Sequence, residues 1–312
     1  MRFITSAYGN DYAALLAVFL KSLHAYCPEL PVTVYWQDMD DDIMAALRAV
    51  FPRVACVKTE FSIAGSPHQK ISSKMKLWLR AVEEARDETL CLIDSDTVVQ
   101  RPLKGFLNGY DCIFTDKEEQ FHLNTGVVIL RNTPSSSEFL QAWTEKTLSI
   151  VNDAALLEQA VSVENHYGAA DQMALYTLID YHPERKEYAY SAKGGKFTLK
   201  AVPCTVLNQT NSVPLSPDIY VYHYKGGWRG VLLKGIHSPY RTKKACLPMQ
   251  IQYLRLYRDV LNSLRREATS QESINKIRLH VPSYFDLDSG AFLPWRFRLE
   301  LAKDTLKKWI GA

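Results

Sequence analysis

Two aspartates at the end of an apolar run are the residues of this chain best suited to bind a metal ion. Asp94 and Asp96 directly follow Leu90–Ile93, a short run of strand formers that is typical of a central strand covered on both faces. Open α/β sheets bind ligands just outside the carboxyl ends of their strands. Two carboxylates at that place predict a site for a hard divalent cation, which prefers oxygen ligands.

The same spacing of two aspartates occurs three more times in two polar segments, at Asp38/Asp40 and Asp40/Asp42 in one and at Asp286/Asp288 in the other. The first two pairs read as a loop and the N-cap of the helix that follows. An EF-hand calcium loop is excluded there, because Ile43 stands where that loop requires glycine. The pair at the end of the buried strand is therefore the favoured metal site, and its alternative is a loop that caps the next segment.

Four more polar segments stand beside predicted strands or helix starts and are candidates for one shared site. They are Ala7–Tyr12, His122–Gly126, Asp171–Gln172 and Tyr222–Arg229. A strand-to-helix turn binds nucleotides through backbone and amide groups, and an Asn-Thr-Gly run entering a strand lets a hydroxyl-rich ligand approach closely. Each has an ordinary alternative, which is a turn for the first two and a helix N-cap for the aspartate of the third.

The last of these segments combines groups that fit both a metal ion and a diphosphate. His223 follows a predicted strand and can complete a carboxylate metal site. The backbone N–H groups of Gly226 and Gly227, with Lys225 or Arg229, can bind a diphosphate. A histidine at a strand end is more often simply hydrogen-bonded, but the adjacent glycines and cations favour the functional interpretation.

The first part of the chain alternates strands with helices, which predicts a mostly parallel sheet with right-handed crossovers. The predicted strands are Phe3–Ala7, Val32–Trp36, Val54–Lys58, Thr89–Asp94, Asp111–Thr115 and Val127–Arg131. The predicted helices cover Tyr12–Tyr26, Ile43–Val50, Ser73–Arg86, Ser135–Ile150 and Asp171–Ile179. Further along, we predict a turn at Lys193–Lys196 between two strands, a strand over Ile219–Tyr224 and a helix over Leu247–Ala268.

The segment over residues 293–312 has a separate pattern. Its apolar side chains fall on one helical face, formed by Leu299, Ala302, Leu306, Trp309 and Ile310. Lysines lie largely on the other faces, and tryptophan and arginine precede the stripe. Such a segment suits peripheral contact with a membrane surface, and the alternative is a terminal helix docked on the body of the protein.

Composition and charge limit the classes of function. The 312 residues are 47% hydrophobic and 23% charged, which is typical of a soluble globular protein. A formal net charge of +3 gives no reason to expect a nucleic-acid partner. The six cysteines form no CxxC pair, so we predict buried thiols in a reducing compartment. The chain opens directly into a strand without a signal-peptide h-region, which predicts a cytoplasmic protein.

Taken in order, the motifs resemble those of GT-A glycosyltransferases, most closely the bacterial lipopolysaccharide galactosyl- and glucosyltransferases of glycosyltransferase family 8. The resemblance covers roughly residues 1–240 and depends on the order of the motifs. The segments that carry it are Ala7–Pro28, Leu90–Val98, Asn124–Gly126, Asp171–Gln172 and His223–Gly226. The family has an Asn-Ala-Gly segment where this chain has Asn-Thr-Gly, and a His-x-x-Gly signature that the last segment matches.

The resemblance implies an α/β GT-A fold, with a Rossmann-like, mostly parallel sheet flanked by helices. It implies a catalytic domain over residues 1–245 and a helical C-terminal region over residues 246–312. The implied reaction moves a hexose from UDP-galactose or UDP-glucose to a glycan or lipid-linked acceptor, with retention of configuration. The implied location is cytoplasmic, at the inner face of the membrane where the C-terminal segment contacts it.

The resemblance also assigns roles to individual residues. Asp94, Asp96 and His223 would bind Mn²⁺ or Mg²⁺, and Asp171 and Gln172 would lie beside the reacting sugar as catalytic residues. The residues implied to bind the nucleotide sugar are Ala7, Tyr8, Asn10, Tyr12, Lys74, Lys76, Asp94, Ser95, Asp116, Asn124, Thr125, Gly126, Lys225, Gly226 and Arg229.

The chain departs from the family pattern at two points, and two of the assignments are alternatives. Gly9 stands where the family usually has an aspartate for the uracil base, and the lysine after the family's His-x-x-Gly is missing. Arg229 or Lys225 takes the place of that lysine. Either Lys74 or Lys76 supplies the cation that precedes the metal-binding strand.

Four other functions compete with this interpretation. An inverting GT-A transferase of a neighbouring family would share the motifs. A sugar-nucleotide pyrophosphorylase would have a Gly-rich loop with arginine and lysine after the first strand, and Ala7–Tyr12 is poor in both. A non-catalytic GT-A domain that binds a nucleotide sugar or glycan would lack metal-dependent turnover. A membrane-surface scaffold would depend on the segment over residues 293–312.

Overall fold

The computed structural model describes residues 1–60, 67–85, 87–117, 121–210, 218–224, 227–234, 247–267 and 269–310. Its helices are α1 (Ala13–Tyr26), α2 (Asp41–Val50), α3 (Pro67–Glu84), α4 (Pro134–Asn152), α5 (Ala154–Val161), α6 (Ala170–Leu178), α7 (Cys204–Leu207), α8 (Gly227–Lys234), α9 (Leu247–Arg266), α10 (Gln271–Lys276) and α11 (Pro294–Ile310). A short 3₁₀-helix over Asn10–Tyr12 precedes α1.

The strands of the described ranges form three sheets. They are β1 (Arg2–Tyr8), β2 (Val32–Gln37), β3 (Val54–Lys58), β4 (Thr89–Ile93), β5 (Thr97–Val99), β6 (Cys112–Asp116), β7 (Leu123–Arg131), β8 (Glu187–Ala192), β9 (Gly195–Pro203), β10 (Gln209–Thr210), β11 (Val221–His223), β12 (Phe285–Asp286) and β13 (Ala291–Phe292). The main sheet has eight strands in the order β3-β2-β1-β4-β7-β6-β9-β8, a second sheet has the order β10-β11-β5, and β12 pairs with β13.

The main sheet has a parallel half and a mixed half. Strands β3, β2, β1 and β4 are parallel neighbours. Strand β7 runs antiparallel to both β4 and β6, whereas β6 and β9 are parallel. The predicted mostly parallel α/β sheet is therefore confirmed, and the polar ends of β1 and β4 meet the start of β7 at one edge.

The main sheet is buried on both faces, as the continuous apolar run of β4 predicts. Leu90 and Leu92 contribute to a hydrophobic cluster that includes residues of α3, α4 and α6. Cys91 and Ile93 point the other way, into a cluster that includes residues of α1, α2 and α9. Successive side chains of a strand face opposite sides of its sheet, so one strand supplies both cores.

The second sheet brings a distant part of the chain to the end of β4. Strand β5 begins directly after the Asp94–Asp96 turn and pairs antiparallel with β11, with His223 opposite Thr97. The backbone N–H of Tyr224 also donates to the Asp96 carbonyl at 2.8 Å. These backbone bonds fix His223 beside the two aspartates.

Most predicted elements are present, with differences at their ends. Helix α3 begins at Pro67 rather than Ser73, and β7 begins at Leu123 rather than Val127. Strand β5 and helix α5 are among the elements that were not predicted from the sequence, as are α7, α8, α10, β10, β12 and β13. Helix α5 has a clear signal, because the Asp153 side chain accepts hydrogen bonds from two backbone N–H groups of its first turn.

Helix α4 shows how local sequence begins an element that supports the site. Thr133 is its N-cap, Pro134 occupies the first turn, and the side chains of Thr133 and Ser136 form a capping box. The five described cysteines are free thiols. Within the described ranges, no helix combines the length and hydropathy required to cross a bilayer.

The C-terminal helices contact the body of the protein in different ways. In α9, Tyr253, Leu254 and Tyr257 are buried in the cluster that contains α1. Helix α11 packs through Phe297, whose ring contacts Tyr284. The division into domains at residues 245 and 246 stays a prediction.

Candidate active site

A cleft of about 360 Å³ lies at the polar edge of the main sheet. The ends of β1, β4 and β11, the start of β7 and the first turn of α6 all contribute to its lining. The predicted residues in the lining are Tyr8, Tyr12, Lys74, Asp94, Ser95, Asp96, Asn124, Thr125, Asp171, Gln172, His223 and Arg229. The separate sequence motifs therefore converge on one place.

Three side chains in the lining of the cleft have atoms suited to bind a metal ion. Asp94, Asp96 and His223 each offer one ligand atom, and these atoms all lie within 4.8 Å of one another. The Nε2 atom of His223 lies 3.1 Å from Asp96 Oδ1 and 3.7 Å from Asp94 Oδ2. Carboxylate and imidazole ligands at this spacing fit a divalent cation such as Mn²⁺.

Two cations lie against these carboxylates. The guanidinium of Arg229 lies 2.7 Å from Asp96 Oδ2, and the ammonium of Lys74 lies 3.6 Å from Asp94 Oδ1. Burial alone would raise the pKa of the Asp96 carboxyl, but His223 and Arg229 outweigh burial and hold this pKa well below its usual range. Asp96 is therefore ionised at neutral pH, which is the state in which a carboxylate binds cations.

The lining of the cleft contains a second buried carboxylate, that of Asp171. Asp171 is 2% exposed. Its Oδ2 atom lies 2.9 Å from Lys74 Nζ and accepts a hydrogen bond from the Thr125 hydroxyl at 2.6 Å. Burial raises its pKa, whereas Lys74 and then Thr125 lower it more, so that the pKa lies below the ordinary value.

The structure corrects the simple alternative for Asp171. Helix α6 begins at Ala170, and Ala169 is its N-cap, so Asp171 lies inside the first turn and is not the cap. Its backbone carbonyl accepts a hydrogen bond from the Trp143 indole at 2.7 Å. Packing and ion pairing, rather than capping, account for its position.

Two amide side chains at the cleft are held by backbone groups. With its nitrogen oriented toward two carbonyl oxygens, Gln172 donates to Leu123 at 2.8 Å and to Tyr167 at 2.6 Å. The Oδ1 atom of Asn124 accepts from the backbone N–H of Gly126 at 3.0 Å. The Nδ2 atom of Asn124 is buried and has no hydrogen-bond partner among the described residues, so it is a donor available to a ligand.

Tyrosines form another part of the lining. Burial raises the pKa of Tyr8 to about 12, so its hydroxyl remains a donor across the physiological range. The ring of Tyr12 lies beneath two cations, with Lys70 Nζ 5.3 Å and the Arg229 guanidinium carbon 5.9 Å from its centroid. Positive charge is thus concentrated on this side of the cleft.

Several predicted residues lie next to the cleft rather than in its lining. Ala7 is fully buried in β1, and the Oδ1 atom of Asn10 accepts from the backbone N–H of Asp40 at 2.9 Å. Lys76 is exposed, because residues two apart on α3 point to different faces. Of the two lysines left open by the sequence, Lys74 is the one in the cleft lining.

Asp116 and Gly126 have structural partners of their own. The carboxylate of Asp116 accepts from the Tyr181 hydroxyl at 2.6 Å and from Lys186 Nζ at 2.5 Å. Gly126 packs directly against the His223 ring. Lys225 and Gly226 lie outside the described residues.

The cleft also contains residues that sequence reasoning missed: Ser6, Lys70, Ile71, Gly168 and Ala169. Lys70 had a readable signal, because it stands four residues before Lys74 and shares its face of α3. Ser6 stands two residues before Tyr8 in the same strand and so faces the same way. The two residues before α6 had no comparable signal.

Among the comparisons with known proteins, the search of solved structures found matches. No family model matches the chain, and no curated protein matches it. The galactosyltransferase LgtC in complex with donor and acceptor sugar analogues is 16% identical, with a TM-score of 0.51 and coverage of 88% of this chain and 100% of that chain. The chain has a GT-A fold.

A second glycosyltransferase supports the GT-A fold. The apo form of GlyE from Streptococcus pneumoniae TIGR4 is 13% identical, with a TM-score of 0.52, and the match covers 86% of this chain and 64% of that chain. An active-site mutant of LgtC is 15% identical, with a TM-score of 0.50 and coverage of 89% and 100%. The predicted GT-A fold is thus confirmed at the level of architecture.

Proposed function

We propose that the protein is a metal-dependent hexosyltransferase that moves a hexose from UDP-galactose or UDP-glucose to a glycan or lipid-linked acceptor, with retention of configuration. The observation that carries this proposal is the convergence of Asp94, Asp96 and His223 in the cleft of a GT-A fold. The comparison structures include a galactosyltransferase bound to sugar analogues. A divalent cation and a nucleotide-diphosphate sugar are the ligands that fit this arrangement.

The charges of the cleft support these ligands. Among the described residues, the lining has three carboxylates and three side-chain cations, which are Asp94, Asp96, Asp171, Lys70, Lys74 and Arg229. A divalent cation and the two negative charges of a sugar-linked diphosphate would enter together without changing the net charge. Because a buried unpaired charge is costly, joint binding is favoured over binding of either ligand alone.

The proposed roles of the side chains follow from their chemistry. When bound, a divalent cation supplies Lewis-acid catalysis and neutralises charge on the leaving diphosphate. Arg229 and Lys70 provide further fixed positive charge beside Tyr12, where the leaving group gains negative charge. Asn124 Nδ2 donates to a donor-sugar or phosphate oxygen. Asp171 and Gln172 orient the reacting sugar and acceptor, and we assign neither of them a covalent role.

The test is the release of nucleoside diphosphate from UDP-, GDP- and TDP-sugars, measured with Mn²⁺ and with EDTA. The variant is Asp96→Ala, and the matched control is Asp288→Ala, which changes the same kind of aspartate pair in an exposed loop. We expect metal-dependent release from one donor, lost in Asp96→Ala and retained in Asp288→Ala.

Two results would contradict the proposal. Metal-dependent nucleotide binding without turnover would identify a non-catalytic GT-A domain instead. Absence of both binding and turnover would overturn the assignment of Asp94, Asp96 and His223. Analysis of the anomeric configuration of the product decides between retention and inversion.

We further propose that α11 contacts an anionic membrane surface, at the cytoplasmic face where a lipid-linked acceptor would be presented. Phe297 docks this helix on the protein, whereas Trp295 and Leu299 are 57% and 52% exposed. Arg296 and Arg298 are exposed beside them. An exposed apolar stripe flanked by cations fits the interface of an anionic bilayer.

Cosedimentation with vesicles tests this contact. We expect the full chain to bind vesicles that contain phosphatidylglycerol and not vesicles of phosphatidylcholine alone. Trp295→Ser/Leu299→Ser should lose binding, whereas Tyr26→Ser/Val163→Ser, which removes two other exposed apolar side chains, should retain it. Equal binding of the two double variants would exclude α11 as the contact.

A further inference from the structure

Gly126 in β7 leaves the space that the His223 ring occupies. A Cβ atom at position 126 would lie 2.4 Å from both Cε1 and Nδ1 of His223 and 3.2 Å from Asn124 Oδ1. The backbone of Gly126 is not in the left-handed region that favours glycine. The neighbouring imidazole, rather than the backbone conformation, therefore requires a residue without a side chain.

His223 has little room to move away from a larger residue. It is 4% exposed, and its backbone pairs with β10 on one side and β5 on the other. Its Nε2 atom faces Asp96, and its Nδ1 atom is buried against Gly126. The ring thus lies between a glycine and the carboxylates.

Gly126 is bonded to the other side of the same site. Its carbonyl oxygen accepts the backbone N–H of Asp94 at 2.9 Å, and its own N–H donates to Asn124 Oδ1. A shift of this residue away from His223 would therefore move the backbone of a metal ligand. Neither Gly126 nor His223 can therefore move apart from the other without changing the positions of Asp94 and His223.

We propose that Gly126 is a positioning residue for the metal site. Because it has no side chain, the Cε1 and Nδ1 atoms of the His223 imidazole can lie against it, and the Nε2 atom then points toward Asp94 and Asp96. This inference rests on the proposed metal site, and it gives Gly126 a role different from the nucleotide-sugar contact that the family resemblance implies. Because the proposed role of Gly126 is to set the geometry of the metal ligands, a change in metal affinity tests that role directly.

The first experiment is a titration of the full-length protein with Mn²⁺, in the absence and in the presence of UDP, with the free ion measured by electron paramagnetic resonance. We expect Gly126→Ala to weaken Mn²⁺ binding by about tenfold or more, as loss of ligand orientation does in other metal sites. The control is Gly194→Ala in the turn between β8 and β9, where a Cβ would meet only the flexible Ser135 hydroxyl and the Ser135 backbone nitrogen. This control should bind Mn²⁺ like the parent protein.

A double-mutant cycle separates the steric contact from general loss of stability. Gly126→Ala should lower the urea midpoint of unfolding when His223 is present. The same change should have a much smaller effect in the His223→Ala background, because the added methyl group then has space. If Gly126→Ala alone does not fold and the double variant does, the contact is established by that rescue.

The outcomes distinguish this inference from the proposed function. Mn²⁺ binding by the parent with unchanged affinity in Gly126→Ala would overturn the positioning role and leave the transferase proposal intact. Absence of Mn²⁺ binding in the parent, in the presence and absence of nucleotide, would overturn the metal site itself. An equal urea shift in both backgrounds would show that Gly126 and His223 are not coupled.

Discussion

Asp96 and Asp171 are both buried in the cleft, but their surroundings differ. Asp96 is 4% exposed and has the imidazole of His223 and the guanidinium of Arg229 as partners. The Arg229 side chain is 37% exposed, so it can leave without crossing the protein interior. Asp171 is paired with Lys74, whose side chain is only 12% exposed.

The difference separates an exchangeable carboxylate from an enclosed one. A carboxylate whose cation reaches solvent can accept another cation, such as a metal ion, in its place. A carboxylate enclosed with its lysine has no such replacement, and removing the lysine leaves a buried charge. We expect the Asp96 side of the cleft to determine ligand binding and the Asp171 side to determine stability.

The largest effect should come from Lys74→Met. This change leaves the Asp171 carboxylate buried without its cation, so we expect the free energy of unfolding to fall by about 3–5 kcal/mol. Urea unfolding monitored by circular dichroism measures it. The control is Lys76→Met on the exposed face of α3, which should change the free energy by less than about 0.5 kcal/mol. A loss below about 1 kcal/mol in Lys74→Met would mean that Asp171 is not enclosed.

Lowering the pH should reduce the difference in the free energy of unfolding between the parent and Lys74→Met. In the folded parent the pKa of Asp171 is depressed, so its stabilising contribution is present above about pH 4 and is lost as pH falls through the folded value. In the variant, burial raises this pKa, and protonation relieves the unpaired charge at a higher pH. The difference in the free energy of unfolding should shrink by at most about 1.4 kcal/mol for each pH unit below the raised pKa of Asp171 in the variant. A constant difference in the free energy of unfolding between pH 7 and pH 4 would contradict the ion pair between Lys74 and Asp171.

The smallest effect on stability should come from Arg229→Gln. His223 remains beside Asp96 and the lost guanidinium reaches solvent, so we expect a loss of about 1 kcal/mol. Mn²⁺ affinity should be retained, because the variant frees a ligand oxygen, whereas affinity for a nucleoside diphosphate should fall. Calorimetric titration measures both, and loss of Mn²⁺ binding would show that Asp96 is not exchangeable.

The residues that local patterns describe were predicted well. The apolar run Leu90–Ile93 is a central strand, and Asp94 and Asp96 follow it as expected. Helix α2 and strand β3 end at the predicted residues, Val50 and Lys58. The composition and hydrophobic periodicity of a short segment are properties of neighbouring residues, so such elements can be predicted without knowing what they contact.

Long-range partners were the part that sequence could not supply. The sequence left Lys74 and Lys76 as equal candidates, because the choice depends on which face of α3 packs against the sheet. The N-cap interpretation of Asp171 was wrong, because its position is determined by Lys74 and Trp143, which are far away in the chain. Strand β5 has only three residues and is stable through its pairing with β11.

The pairing of β5 with β11 also has a consequence for synthesis of the protein. Arg229 and Asp96 are 133 residues apart. At ribosomal rates of about 5–20 residues per second, the two aspartates emerge roughly 7–27 seconds before the arginine. A nascent chain therefore presents both carboxylates before the strand that brings His223 exists, and the proposed set of three metal ligands is complete only once that strand has been synthesised. At the proposed metal site, metal loading would therefore follow the pairing of β5 with β11 rather than begin the folding of the chain.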